Sequence, residues 1–494
     1  MARTALVVVY GLLSAWAYSC LLPLWEGFDE AYHYGYVQFL STNWRLPVLG
    51  QATLSQEIWH SMELTPVSHY LQPYTHAPVS FSQYFALSPE QRAALRRELE
   101  SLPASEKYLT QPDKRNYEVN QAPLPYLFMA GIDRGLSALP LTSRVLWLRL
   151  VCATLAVLLI AHSTWLLSHQ LVLPPLYFQA ALFCLFSSQM LYAAICHVSN
   201  DTFAPAAMGY LLWAAIRRNW VVLGLALSAA LLVKAYFLFL IPLALAPAAW
   251  EIVLPLALLA SPWYARNLLL YHNLSGTVES TSGVGPGPFL QSALHLPWRE
   301  SIGYMAHSSL WTGNNSFTTF SSATLNVMLL LLACGVICNF VYARPRPAEW
   351  IVIAGVLLFC IGLAIISVAF FASSKGGAIA AVPWYTQVLL APVLLLAFLG
   401  LSRARRWGWA LLAAQVVLWG YVLAATYIAK LAPMYGGLGP GRVHLKTLWA
   451  WYWTSGPAAL VSLGSVPVVW TLIACSIALG MALGFDLVAR AGRA

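Results

Sequence analysis

The chain has 494 residues, of which 60% are hydrophobic and only 9% are charged. Soluble proteins average about 25% charged residues, so this composition excludes an ordinary soluble enzyme and predicts an integral membrane protein. The formal net charge of +9 comes largely from arginines beside apolar segments, so it does not indicate a nucleic-acid partner.

Twelve apolar runs predict transmembrane helices. Runs this long and apolar indicate helices, because lipid offers no water to satisfy an open backbone. The three runs between residues 219 and 264 are short enough to merge or tilt. The runs cover residues 5–24, 147–168, 175–196, 202–216, 219–233, 235–249, 251–264, 322–342, 350–372, 384–402, 407–428 and 464–486.

Arginines beside these runs predict the orientation of the chain. With twelve crossings and both termini in the cytoplasm, every arginine cluster falls on the cytoplasmic side, as the positive-inside rule requires. The residues 1–494 then form a single polytopic domain, in which segments 25–146, 265–321 and 429–463 face the outside. The clusters are Arg3, Arg217 with Arg218, Arg344 with Arg346, Arg403 with Arg405 and Arg406, and Arg490 with Arg493.

The long first outer segment, 25–146, is predicted to carry short amphipathic helices. In "SPEQRAALRRELESL", Ser88 stands three residues before Gln91, a capping-box pattern that opens a helix. The later stretch "NQAPLPYLFMAGIDRGLSAL" is apolar but short and interrupted, so we interpret it as a helix along the membrane surface. A thirteenth span here would place the later arginine clusters outside.

Charged residues gather at the predicted outer ends of the spans. A charge near hydrocarbon is costly and normally faces a partner or a water-filled cavity, so the pattern predicts a polar site at the outer membrane face. The other interpretation is that each charge is only an interfacial anchor. The residues are the doublet Asp29 and Glu30, then Asp201, Arg149, Lys234 and Arg266.

His33 lies four residues after Asp29 and shares a helical face with it. The two side chains can form a hydrogen-bonded pair, or His33 can pack under the neighbouring tyrosines. The eight cysteines lie in or beside apolar runs and predict neither a disulfide framework nor a zinc site.

Five motifs follow one another along the first half of the chain. They are the acidic doublet with its long loop and "YEVNQAPLPYLF", then "RLVCATLAVLLIA", "SNDTFAPAAMGYLL", "LLVKAYFLFLIPLAL" and "PWYARNLLLY". In this order they resemble the motifs of the GT-C superfamily of polytopic glycosyltransferases. The resemblance is to bacterial relatives of protein O-mannosyltransferases and of the lipid A aminoarabinose transferase, glycosyltransferase family 39-like. It covers approximately residues 1–275, and the later part matches only in architecture.

This resemblance implies an all-α, GT-C-like bundle in a bacterial inner or plasma membrane, acting in glycosylation of the cell envelope. It implies transfer of a sugar from a polyprenyl-phosphate donor to a hydroxyl of a glycan, lipid or protein on the extracytoplasmic face. Asp29 corresponds to the family's catalytic acidic residue, and Glu30 completes the doublet. The residues expected at the substrate are His33, Glu118, Arg149, Asn200, Asp201, Lys234 and Arg266.

The chemistry needs a base for the acceptor hydroxyl and cations for the leaving phosphate. We expect a single displacement with inversion, with Asp29 as base and Arg149, Lys234 or Arg266 at the phosphate. A divalent cation bridging Asp29, Glu30 and the phosphate is a further hypothesis.

The sequence departs from the family pattern at two positions. Ala122 stands where relatives often have proline, and Gln387 where they often have arginine. A "WWDYG"-like signature is absent from the sequence, which disfavours oligosaccharide transfer to asparagine.

Two other functions fit a polytopic chain with charges at its span ends. One is a transporter or flippase of a lipid-linked sugar, although the two halves show no internal repeat and the first loop is long for a transporter. The other is a scaffold that kept the fold and lost the activity, against which the acidic doublet argues.

Overall fold

The computed structural model describes residues 2–69, 71–72, 79–245, 250–276, 284–404, 407–439 and 443–493. Helices dominate these residues, which confirms an all-α membrane protein. Within them, one small sheet was not expected from the sequence. It pairs the short strands Thr53–Ser55 and Thr110–Arg115 in antiparallel register, with Thr53 opposite Arg115.

Eight helices of the described chain are long and apolar enough to cross a bilayer. A ninth candidate is the pair Pro175–Leu185 and Gln189–Ile195, which bends by 64° at its break. The eight are Ala2–Leu21, Leu141–Gln170, Trp250–Tyr271, Ser322–Val341, Pro347–Ser373, Pro383–Arg403, Gly408–Leu438 and Val469–Ala491.

The remaining apolar runs carry shorter helices, so the count of twelve spans stays a prediction. These helices are Ala204–Arg217 and Trp220–Val233, followed by the apolar stretch Ala235–Ala244. The last part of the run 235–249 lies outside the described residues.

Short helices occupy the three predicted outer segments. Ser88 caps one of them as expected, because its Oγ accepts the backbone N–H of Gln91 at 3.3 Å and the Gln91 side chain accepts the N–H of Ser88 at 2.9 Å. The helices are Glu30–Asn43, Gln56–Leu64, Phe81–Ala86, Pro89–Glu100, Leu124–Gly135, Pro286–His295, Trp298–Leu310, Leu445–Thr454 and Gly456–Ser462.

The apolar stretch after residue 120 forms the 12-residue helix Leu124–Gly135. At 1.5 Å per residue it rises about 18 Å, too little for a hydrocarbon core of about 30 Å. Leu124, Leu127 and Phe128 are exposed on it, which suits a helix that lies along a membrane surface.

Ion pairs gather several arginine clusters at the helix ends remote from Asp29. Arg3 and Arg490 both contact Asp486, at 3.4 and 2.8 Å. Arg346 and Arg403 both contact the buried Glu349, at 2.6 and 2.7 Å. Asp29 follows the C-terminal end of helix Ala2–Leu21, whose first turn carries Arg3. Which face is cytoplasmic stays a prediction, and Arg405 and Arg406 lie outside the described residues.

A second, smaller core joins the first outer segment to the start of helix Leu141–Gln170. Inside it, the buried Arg144 contacts the carboxylates of Glu57 and Asp133. Tyr34 donates to Asp133 at 2.8 Å, so this network clamps helix Glu30–Asn43. These bonds hold the helix at Tyr34, beyond the acidic doublet, against the outer helix Leu124–Gly135 and the start of helix Leu141–Gln170.

Helices Ser322–Val341 and Gln387–Arg403 approach each other through glycine. A Cβ added at Gly400 would overlap the backbone carbonyl of Gly335. Small residues at such a contact let two membrane helices pack closely, so glycine is required here by the distance between the backbones.

We predict that Gly400→Ala destabilises the protein by about 1–3 kcal/mol or more, because the added methyl group forces these helices apart. The thermal unfolding temperature of the purified protein in detergent measures the effect. Gly131→Ala is the matched control, since Gly131 lies in a helix with open space around it. An equal loss in both variants would contradict the close contact.

Candidate active site

A tight turn between the first membrane helix and helix Glu30–Asn43 carries the acidic doublet. A Cβ at Gly27 would lie 2.5 Å from the Cβ of His197, so the turn packs closely against that residue. Asp29 adopts the left-handed conformation (φ 54°, ψ 19°), which aspartate tolerates better than most residues. Its carboxylate makes no capping bond to the helix and is exposed.

The Asp29 carboxylate opens into a cavity of about 510 Å³. Residues distant in sequence meet in this cavity, which we call the Asp29 cavity. Among the predicted site residues, Asp29, His33, Glu118 and Lys234 line it. The others that line it are Tyr117, Gln121, Phe370, Val382, Trp384 and Tyr385.

Asp29 accepts a hydrogen bond of 2.7 Å from the hydroxyl of Tyr117. Although the side chain is open to the cavity, desolvation by the surrounding protein raises its pKa above the ordinary value of 3.8. The Tyr117 bond and the charge of Lys234 oppose this rise, and the charge of Asp201 adds to it. A carboxylate with a raised pKa is a stronger base.

His33 and Glu118 lie next to each other on the wall of the cavity. Nδ1 of His33 lies 2.7 Å from the hydroxyl of Tyr126 and 3.5 Å from Oε2 of Glu118. Burial lowers the pKa of His33 well below its ordinary value, and Lys234 lowers it further. The side chain of His33 thus bonds Tyr126, while only its backbone N–H bonds Asp29, at the carbonyl oxygen.

Burial is the main cause that raises the pKa of Glu118 to about 8, and the negative charge of Asp29 is the next. A neutral His33 and a protonated Glu118 are therefore the forms expected at neutral pH, so the 3.5 Å contact between them joins two uncharged groups.

Lys234 lies at the break between helix Trp220–Val233 and the following 3₁₀ turn. Its ammonium donates to Asp201 at 2.6 Å and to Asn200 at 3.0 Å, and it lies 4.6 Å from the ring centroid of Tyr385. Asn200 in turn donates to Gln121 at 3.1 Å. The structure thus brings Asn200, Asp201 and Lys234 together behind the Asp29 cavity.

Glu30 and Arg149 form a separate, fully buried pair. Arg149 donates to both carboxylate oxygens, one through Nε at 2.7 Å. It also donates to the carbonyls of Leu22 at 2.6 Å and Pro23 at 3.0 Å. Burial alone would raise the pKa of Glu30, but the charge and hydrogen bonds of Arg149 outweigh burial and hold it below the ordinary value.

Arg266 lies apart from the Asp29 cavity. Its Nη2 donates to the carbonyl of Pro47 at 2.5 Å, and the guanidinium lies 5.1 Å from the ring centroid of Trp263. Neither Arg149 nor Arg266 is among the residues that line the cavity.

The described residues do not fit the hypothesis of a bridging divalent cation. Among them, no three histidine, cysteine, aspartate or glutamate side chains converge as metal ligands. Glu30 is paired with Arg149 on both oxygens, so the acidic doublet does not present two carboxylates to one ion.

The polar residues of the cavity that sequence reasoning missed are Tyr117, Gln121 and Tyr385. The signal for the first two was their place beside Glu118 in "YEVNQ", and for the third its place after Trp384. Gln387 donates to the carbonyl of Ser309 at 2.8 Å and lines a different, apolar cavity of about 500 Å³.

The fold and the site define an all-α polytopic membrane protein with a carboxylate-and-lysine cavity at one end of its helices. No family model and no curated protein matches the chain. Among solved structures, it is similar to the crystal structure of ArnT from Cupriavidus metallidurans bound to undecaprenyl phosphate. The likeness covers 98% of this chain and 78% of that one, with 13% sequence identity and a TM-score of 0.45.

We predict that Arg149→Gln destabilises the protein by about 3–5 kcal/mol, because it leaves the buried Glu30 carboxylate unpaired. Arg266→Gln, at a half-buried arginine that bonds only a carbonyl in the described structure, should cost much less. Thermal unfolding of the purified variants measures both. The double variant Glu30→Gln/Arg149→Gln should recover part of the loss, and a stable Arg149→Gln protein would contradict the structural role.

A second prediction concerns pH and Glu118. Between its ordinary pKa of 4.5 and about 8, folded Glu118 holds a proton that the unfolded chain has released, so the free energy of unfolding falls as pH rises through this window. Glu118→Gln should flatten the fall. Unfolding temperatures between about pH 5 and 8 test this, with Glu98→Gln at an exposed position as a control that keeps the wild-type slope. An unchanged slope in Glu118→Gln would contradict the raised pKa.

Proposed function

We propose that this protein is a membrane glycosyltransferase that moves a sugar from a polyprenyl-phosphate donor to a hydroxyl acceptor on the extracytoplasmic face. The observation that carries the proposal is the Asp29 cavity, where the exposed carboxylate of Asp29 and the ammonium of Lys234 face one space. A base and a cation in one cavity are the groups that glycosyl transfer from a phosphate needs.

In the proposed reaction, Asp29 accepts the proton of the acceptor hydroxyl as the hydroxyl oxygen attacks the anomeric carbon. The bond from that carbon to the phosphate oxygen breaks, and the phosphate leaves with the electron pair. A single displacement of this kind inverts the anomeric centre. The open Asp29 side chain supports the role of base, because the group that it deprotonates must reach it.

Lys234 is the favoured contact for the leaving phosphate. Of the three cations predicted from the sequence, it alone lines the Asp29 cavity as described. Its ion pair with Asp201 at 2.6 Å offsets part of the cost of burying its charge. Arg149 is already bonded to Glu30 and two carbonyls, which disfavours a phosphate role for it.

The position of the cavity supports a donor held in lipid. Phe370 and Trp384, which line the cavity, lie near the ends of the membrane helices Pro347–Ser373 and Pro383–Arg403. The headgroup of a polyprenyl phosphate lies at this depth, where a membrane helix ends. The order of the sequence motifs favours the same donor class.

We predict that Asp29→Asn lowers sugar transfer by about 10²–10⁴-fold in folded protein, the range expected for loss of a general base. Transfer of radiolabel from a panel of polyprenyl-phosphate sugars to envelope acceptors, with purified protein in liposomes, measures the effect. Asp113→Asn is the matched control, because Asp113 is exposed on a strand of the same outer segment. Its transfer should equal that of the wild type.

Full transfer by Asp29→Asn would contradict the role of base. Absence of transfer and of donor hydrolysis in the folded wild type, together with counterflow uptake of a lipid-linked sugar in vesicles, would contradict the enzyme itself and favour a transporter.

A further inference from the structure

Tyr117 makes the direct side-chain contact with the proposed base. It opens the 3₁₀ turn Tyr117–Asn120, directly after the strand Thr110–Arg115 and Asn116. Its hydroxyl donates to Oδ1 of Asp29 at 2.7 Å. Its ring packs at a tilt of 36° on the ring of Tyr32, with centroids 4.3 Å apart, so this ring contact helps to hold the hydroxyl at the carboxylate.

The buried Asn116 fixes the turn that carries Tyr117. Its side-chain amide donates to the carbonyl of Tyr32 at 2.8 Å, and its side-chain oxygen accepts the N–H of Glu118 at 3.0 Å. Its backbone N–H bonds the carbonyl of Ala52 at 3.0 Å. Three bonds to three segments therefore set the place of Tyr117 over the first turn of helix Glu30–Asn43.

The groups that face Asp29 have opposite effects on its pKa. The charge of Asp201, behind the cavity, disfavours a charged Asp29, and the charge of Asp29 in turn raises the pKa of Glu118, on the same turn as Tyr117. Lys234 and Tyr117 favour the charged Asp29. The ammonium of Lys234 bonds Asp201 and Asn200. His33 and Tyr32, on the helix that Asp29 precedes, complete the surroundings, with the His33 ring bonded to Tyr126.

We propose that Tyr117 is a positioning residue for Asp29: its hydroxyl holds one carboxylate oxygen and leaves the other for the acceptor hydroxyl. This inference rests on the proposed function. A hydrogen bond to a charged carboxylate also stabilises the charged form. The Tyr117 bond therefore keeps Asp29 ionised, and able to accept a proton, at a lower pH than it would be beside the other acidic groups alone.

The test compares Tyr117→Phe with Tyr32→Phe. Both variants keep the two packed rings, and each removes one hydroxyl, but only Tyr117 bonds the Asp29 carboxylate in the described structure. In Tyr117→Phe the acidic limb of the pH profile of kcat/KM for transfer should move up by about one pH unit. The KM for the donor should stay unchanged, and Tyr32→Phe should match the wild type.

A second readout does not depend on any activity. Carbodiimides react with protonated carboxyl groups, so the extent of Asp29 labelling against pH, followed by mass spectrometry, gives its titration midpoint. The midpoint should rise in Tyr117→Phe and not in Tyr32→Phe. Equal midpoints in wild type and Tyr117→Phe, or an equal rise in both variants, would overturn the proposal. If Tyr117→Phe raises the labelling midpoint but the wild type shows no transfer, the proposed function fails and the contact between Tyr117 and Asp29 stands.

Discussion

The buried pair of Glu30 and Arg149 is the interaction on which the candidate site depends. Arg149 belongs to a membrane helix, Glu30 to the first helix of the outer segment, and the guanidinium also bonds the carbonyls of Leu22 and Pro23 between them. One side chain thus ties the end of the first membrane helix to the turn that presents Asp29. A buried pair of this kind offsets its desolvation only with good geometry and further hydrogen bonds, and both are present here.

The acidic doublet therefore divides into two tasks. Glu30 faces inward, accepts Arg149 and the N–H of Val198 at 3.0 Å, and fixes the turn. Asp29, one residue earlier, adopts the left-handed conformation and faces the cavity. The energetic cost of a charge near hydrocarbon explains the inward partner of Glu30, whereas the Asp29 side chain faces the open cavity and is available for the proposed role of base.

Much of the fold followed from the sequence, because apolar runs and capping patterns are local signals. The helices and the Ser88 cap belong to this class. The small sheet could not be predicted from local signals, because its strands, residues 53–55 and 110–115, are far apart in the sequence. The positions of the charges in the sequence also could not show which cation contacts the phosphate, because Arg149, Lys234 and Arg266 all lie at predicted span ends. Only the three-dimensional structure distinguishes Lys234, which lines the cavity, from Arg149, which is bonded to Glu30.

The central claim is that the cavity between Asp29 and Lys234 receives a polyprenyl phosphate. A cryo-electron microscopy structure of the protein in nanodiscs with polyprenyl phosphate tests it most directly. The account predicts phosphate density within about 3 Å of the Lys234 ammonium, in the space faced by the Asp29 carboxylate, with the Glu30–Arg149 pair intact. Phosphate bound instead to Arg149 or Arg266, with the Asp29 cavity holding none, would contradict it.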